Sequence, residues 1–142
     1  MKICIVSDSH DRADALERAV NDAAAEGAQA VIHCGDLIGA HTLRPALRAG
    51  IPMHVIHGNN LGDPLALHNL SRASGGLLHY YGPDARCGHS HQAGVERVAT
   101  VKGGSAWLVN PGTIAGLSAP ATWVLGDLDA MRYEVFKLSM AA

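Results

Sequence analysis

Four short motifs in this chain combine residue types that bind metal ions or move protons: Asp8-Ser9-His10, Gly35-Asp36, Gly58-Asn59-Asn60 and Gly88-His89-Ser90-His91. Carboxylate oxygen, carboxamide oxygen and imidazole nitrogen are donors suited to first-row divalent metals, and imidazole is also the usual proton carrier near neutral pH. Nine histidines occur, at 10, 33, 41, 54, 57, 68, 79, 89 and 91, so their positions matter more than their number. Taken singly, Gly-Asp and Gly-Asn read as turns, and Asp-x-His reads as an exposed loop between a strand and a helix. His89 and His91 are one residue apart, and in extended backbone two such rings point the same way.

The elements that carry these motifs make them a set. Ile3-Cys4-Ile5-Val6 reads as a buried strand ending at Ser7-Asp8. Asp11 stands where it could cap a helix over 13–26, whose Ala15, Leu16, Ala19, Val20 and Ala23 share one face and which Gly27 stops. A second strand over 30–34 ends at Gly35-Asp36, a helix over 42–49 closes at Gly50, and a third strand over 52–57 ends at Gly58-Asn59. Strand, helix, strand, helix, strand at this spacing implies parallel, right-handed crossovers. Parallel strands deliver their C-terminal residues to one sheet edge, so Asp8, Asp36 and Asn59 should converge there.

The second half has another texture. A short helix over 64–71 and a short strand over 76–79 precede the His-x-His motif. Four β-like runs follow, over 94–101, 106–110, 122–128 and 132–138, with Gly103-Gly104 and Gly126-Asp127-Leu128-Asp129 as turns, a pattern of hairpins in an antiparallel meander.

Composition sets the bounds. A chain of 142 residues, 48% hydrophobic and 17% charged, is one globular domain spanning 1–142. A net charge of -2 argues against a broad basic surface for nucleic acid or anionic membrane, and leaves small phosphate ligands open. Lys2 is followed by only four apolar residues before Ser7, too few for a signal-peptide core, and no later run is long enough to span a membrane. Cys4, Cys34 and Cys87 are an odd count with two in core strands, which reads as reduced thiols in a cytoplasmic protein. Trp107 and Trp123 read as sheet-core aromatics, and His33, His54 and His57 as core or rim residues.

In this order on a βαβαβ frame, Asp8-x-His10, Gly35-Asp36, Gly58-Asn59, Gly88-His89-x-His91 and the later Asn110-Pro111-Gly112 resemble the calcineurin-like metallophosphoesterases, in particular their small bacterial and archaeal phosphodiesterase branch. The resemblance implies an α/β fold, a four-layer α/β/β/α sandwich of two facing mixed sheets. It implies two divalent transition-metal ions, Mn foremost and Ni, Fe or Zn as alternatives. Asp36 would bridge them, Asp8, His10 and His91 would complete one site, and Asn59 and His89 would belong to the other. The implied reaction is hydrolysis of a small phosphoester by metal-bound hydroxide, without a covalent intermediate. A homo-oligomer is compatible with this reading.

Two departures from the family pattern bear on the chemistry. Many members carry a His after the metal-binding Asn; here Asn60 takes that place, an amide that can touch substrate but is a poor acid. Asp63, nearby in sequence, is a candidate to orient a ligand imidazole, and His41, after the Asp36 loop, to touch substrate. The interval before the His-x-His motif is also short. His79 is the best match to a further second-metal ligand, but the stretch between it and His89 is too brief for the usual crossover helix, with His68 as the runner-up ligand. A non-catalytic metal-binding scaffold on the same fold is the alternative function, and a flavodoxin-like nucleotide binder would leave the His-x-His motif unexplained.

Overall fold

The computed structural model describes residues 1–59, 62–82 and 90–139. Strands β1 (Lys2–Val6), β2 (Ala28–His33), β3 (Met53–Val55) and β4 (Leu78–Tyr80) run parallel, connected by helices α1 (Ala13–Ala25), α2 (Ala40–Leu47) and α3 (Pro64–Ala73). Two hairpins follow, β5 (Gly94–Ala99) with β6 (Ser105–Asn110) and β7 (Thr122–Asp127) with β8 (Arg132–Lys137). They do not join into one meander. β7 pairs antiparallel with β1, giving a mixed six-stranded sheet in the order β4-β3-β2-β1-β7-β8, while β5-β6 form a separate two-stranded sheet. The reason is in the side chains: Thr122 to Gly126 are all buried, as a strand inside a sheet requires, whereas β5 and β6 have no buried position and are exposed at several.

Alternation along the strands builds two cores. Cys4, Val6, Val31, Met53, Val55, Leu78, Trp123 and Leu125 face the helices and meet Leu16, Ala19, Val20, Leu43 and Leu67. The opposite face carries Ile5, Cys34 and Val124, with Ile3, Ile32 and Tyr133 beside them, and Val109 of β6 packs there. Trp107 of β6 meets Tyr133 of β8 at 5.7 Å between ring centroids. Helices cover one face and the hairpin sheet the other, so the described residues form three layers, α/β/β, and none of them adds a helix outside β5-β6.

One local expectation is corrected. The N-cap of α1 is Arg12, not Asp11, and no side chain caps that end. His10 is fixed by a bridge to Leu37, and the turn that follows makes the Asp11 carbonyl, instead of its carboxylate, the acceptor for the Ala13 N–H.

Candidate metal centre

The parallel ladder does not stop where the strands end. Cys34 N–H donates to Val6 O at 2.8 Å, Asp8 N–H to Gly35 O at 2.9 Å, His10 N–H to Asp36 O at 2.9 Å, and Asp36 N–H to His57 O at 3.0 Å. These bonds zip the loops after β1, β2 and β3 together, so Asp8, His10, Asp36 and Asn59 come to one edge as the alternating pattern requires. The backbone is strained in the process. Asp8, His10, Asp36 and His91 have φ of 53°, 48°, 57° and 57°, a left-handed region that costs an L-residue about 1–2 kcal/mol. Among the described residues, four of the six non-glycine residues with positive φ are candidate ligands, the clustering expected where surrounding structure holds strain at a working site.

Two glycines make the approach of the loops possible. A Cβ at Gly35 would lie 2.6 Å from both the Cα and the N of Gly58, and a Cβ at Gly58 would overlap the Asp36 amide nitrogen. Both residues also have positive φ, so Gly-Asp and Gly-Asn are turns and ligand carriers at once.

Asp8, His10 and His91 bring one donor atom each to within 4.8 Å of one another. Asp8 is fully buried, and the Ser7 hydroxyl donates to its Oδ2. His91 Nδ1 donates to the Leu117 carbonyl at 3.0 Å, which leaves Nε2 as the lone-pair nitrogen, 3.1 Å from Asp8 Oδ1. An imidazole lone pair and a carboxylate oxygen at that separation repel unless a cation joins them or the ring takes a second proton. His10 Nε2 is buried and meets no hydrogen-bond partner among the described residues. A buried nitrogen without a donor, beside a carboxylate and a second imidazole, fits a divalent metal ion.

Asp36, 4% exposed, is organised by the neighbouring loop. Its Oδ1 accepts from the Asn59 N–H at 2.8 Å. With the Asn59 carboxamide nitrogen turned to the carboxylate, it donates to Oδ1 and Oδ2 at 2.6 and 2.7 Å, and the carbonyl oxygen is then the atom a cation would take. Beneath the loops, His33 is fully buried. Its Nδ1 accepts from the Gly35 N–H at 3.1 Å, so Nε2 carries the proton and donates to Ser9 Oγ at 2.8 Å. Burial pushes the His33 pKa down to about 4 against the pull of Asp36, so the ring is a neutral strut between two ligand loops.

The Asn-Pro-Gly segment braces the same loops from the far side of the sequence. Asn110 Nδ2 donates to Ser90 Oγ at 2.6 Å, and its Oδ1 accepts from Gly112 N–H at 3.0 Å. Just beyond, Ile114 N–H donates to Ser7 O at 2.9 Å, Ala115 N–H to Asp8 O at 3.1 Å, and Thr113 Oγ1 to Asp8 O at 3.1 Å. Sequence reasoning singled out Asn-Pro-Gly as a resemblance and missed this bracing. It had no means of finding the Leu117 carbonyl, since a backbone acceptor carries no residue signature.

Other candidates are placed elsewhere. His79 is on β4 in register with His54, and their rings stack at 4.6 Å. Among the described residues, the donors that gather within 4.8 Å of one another are Asp8, His10 and His91, and His79 is not one of them. The Asp63 carboxylate accepts from Ala66 N–H at 3.0 Å and caps α3, and among the described residues it meets no imidazole. His68 is exposed on α3, edge-on to Tyr80, whose hydroxyl meets His57 Nδ1 at 2.7 Å. His41 is exposed at the start of α2, 3.5 Å from the Thr42 hydroxyl. Asn60 and His89 lie outside the described residues.

Residues 1–85 match the model of the calcineurin-like phosphoesterase superfamily domain. The chain belongs to that superfamily. This calcineurin-like phosphoesterase is a metal-dependent hydrolase of phosphoester bonds. Its fold is similar to that of a structurally and functionally characterised archaeal phosphodiesterase, with TM-score 0.82 and 22% identity over 97% of this chain and 100% of that one. It is also similar to the protein TT1561 of Thermus thermophilus, with TM-score 0.70 and 13% identity over 97% and 99% of the two chains. YfcE, a phosphoesterase from E. coli, aligns with TM-score 0.60 and 17% identity over 98% and 100%. No curated protein matches the calcineurin-like phosphoesterase in sequence.

Proposed function

We propose that the protein is a phosphodiesterase that works with two divalent metal ions, Mn foremost and Ni, Fe or Zn as alternatives. The observation that supports it best is the meeting of Asp8, His10 and His91, three donors from two segments far apart in the chain, within 4.8 Å on a strained and cross-braced edge. Asp8, His10 and His91 would hold one ion, Asp36 would be shared, and Asn59 with His89 would serve the second. Bound there, the ions would supply positive charge for the phosphate and would lower the pKa of a water for direct hydrolysis without a covalent enzyme intermediate.

The chain's own residues do the rest. Buried Asp8 and Asp36 fix the anionic oxygens, and the Leu117 carbonyl keeps the His91 proton on Nδ1. Asn60 follows Asn59 where an acid would stand, and an amide protonates a leaving group poorly, which favours activated esters. His41, exposed at the start of α2, and Asn60, by its place after Asn59 in the sequence, would be the substrate-side groups. No helix among the described residues is long and apolar enough to cross a membrane, and the buried thiols of Cys4 and Cys34 suit a reducing cytoplasm.

The test is turnover by metal-stripped protein reloaded with Mn, Ni, Fe or Zn, using an aryl phosphodiester and an aryl phosphomonoester. Faster hydrolysis of the diester is expected. No turnover with any metal at full occupancy would leave a metal-binding scaffold in its place.

A further inference from the structure

A cleft of about 590 Å³ opens beside His91, walled by Ala93, Ala119, Pro120 and Val135 and reached by Lys137. Its size falls within the range of small-molecule sites, roughly 300–1,000 Å³. Its surface is mostly apolar, with Gln92, Ser118 and Thr122 also lining it; Lys137 brings a cation, and no carboxylate lines it among the described residues. The loop that forms one side also fixes the metal-site imidazole: Leu117 accepts from His91 Nδ1, and Ser118, held at φ 62°, is the next residue and lines the cleft. His91 belongs both to the metal-ligand group and to the lining of the cleft, so a group bonded to a phosphorus held there would have this cleft beside it.

We propose that the cleft is the subsite for one ester group of the substrate, and that this group is bulky and largely apolar. The inference rests on the phosphodiesterase reading and narrows it. A phosphomonoester puts its one organic group on the leaving oxygen, and a diester has a second group for which this cleft is shaped. Apolar walls favour aryl-like or otherwise hydrophobic ester groups over a bare sugar or methyl, because the gain scales with the apolar area removed from water. Lys137, without an opposing carboxylate in the lining, favours an anionic ligand in general, so the preference between ester groups falls to the apolar surface.

The experiment compares diphenyl phosphate with dimethyl phosphate, two monoanions that differ in ester size, by calorimetric dissociation constants on the metal-loaded full chain. Diphenyl phosphate should bind at least tenfold more tightly. Ala119→Trp fills the cleft and Val135→Asp places a like charge in it; both positions are at least partly exposed, so the variants should fold, and each should bring the ratio towards one. Equal affinities in the parent protein, or a preference that survives both substitutions, overturns the subsite. Failure of the phosphodiesterase reading would show differently, as an intact binding preference with no turnover of an aryl phosphodiester.

Discussion

Asn110 donates from Nδ2 to Ser90 Oγ across 2.6 Å and so ties the end of β6 to the middle of the His-x-His motif. The same carboxamide accepts from Gly112 N–H, which shapes the turn leading to the three hydrogen bonds on Ser7 and Asp8. One side chain thus links the segment carrying His91 to the loop carrying Asp8.

Asn110→Asp keeps the acceptor for Gly112 and removes the donor to Ser90, whereas Asn110→Ala removes both. Loss of groups that orient metal ligands costs roughly tenfold or more in metal affinity. Both variants should weaken the Asp8-His10-His91 site by about that factor in equilibrium dialysis, and only Asn110→Ala should also lower the melting temperature. Unchanged affinity in both would show that Ser90 is held by other means.

The glycines of the ligand loops should be unequal to glycines elsewhere. At Gly58 a Cβ meets the backbone of Asp36, and at Gly50, also with positive φ, nothing lies within 4 Å. Gly50→Ala should cost about 1 kcal/mol, the left-handed penalty alone. Gly58→Ala should cost more than about 3 kcal/mol, because the two ligand loops must separate. Urea denaturation of the two variants checks the contrast.

His33 makes the metal-free fold acid-sensitive. Its folded pKa of about 4 lies below the ordinary 6.5, so the unfolded chain binds more protons between those values. Its contribution is complete above pH 6.5 and is lost progressively as pH falls towards 4, roughly 3 kcal/mol in all from a shift of that size. Denaturation in chelator across that window should show the slope, and His33→Gln should flatten it. Parallel pH curves for the two proteins would remove His33 from this role.

The sequence was most legible where one physical rule decided the outcome. Parallel strands ending in Asp8, Asp36 and Asn59 had to share an edge, and the described residues contain every helix and strand read from the periodicity. The less legible features depended on partners far along the chain. The choice of β7 for β1 in place of a meander follows from its burial on both faces, which its composition permitted but did not require. Asp63 could cap or orient, and only the direction of α3 decides for the cap. His79 resembled a ligand by its order in the chain, and its register with His54 on the edge strand β4 depends on a pairing that no local pattern announces. The bracing of His91 through Leu117 and of Asp8 through Thr113 uses a backbone carbonyl and a common hydroxyl, which no residue pattern announces.

The most direct measurement is anomalous diffraction from crystals of the protein loaded with Mn. A peak about 2 Å from the Asp8 carboxylate, His10 Nε2 and His91 Nε2 together is expected. Manganese bound at full stoichiometry in solution, with its anomalous peaks away from these three residues, would contradict the metal centre at this edge.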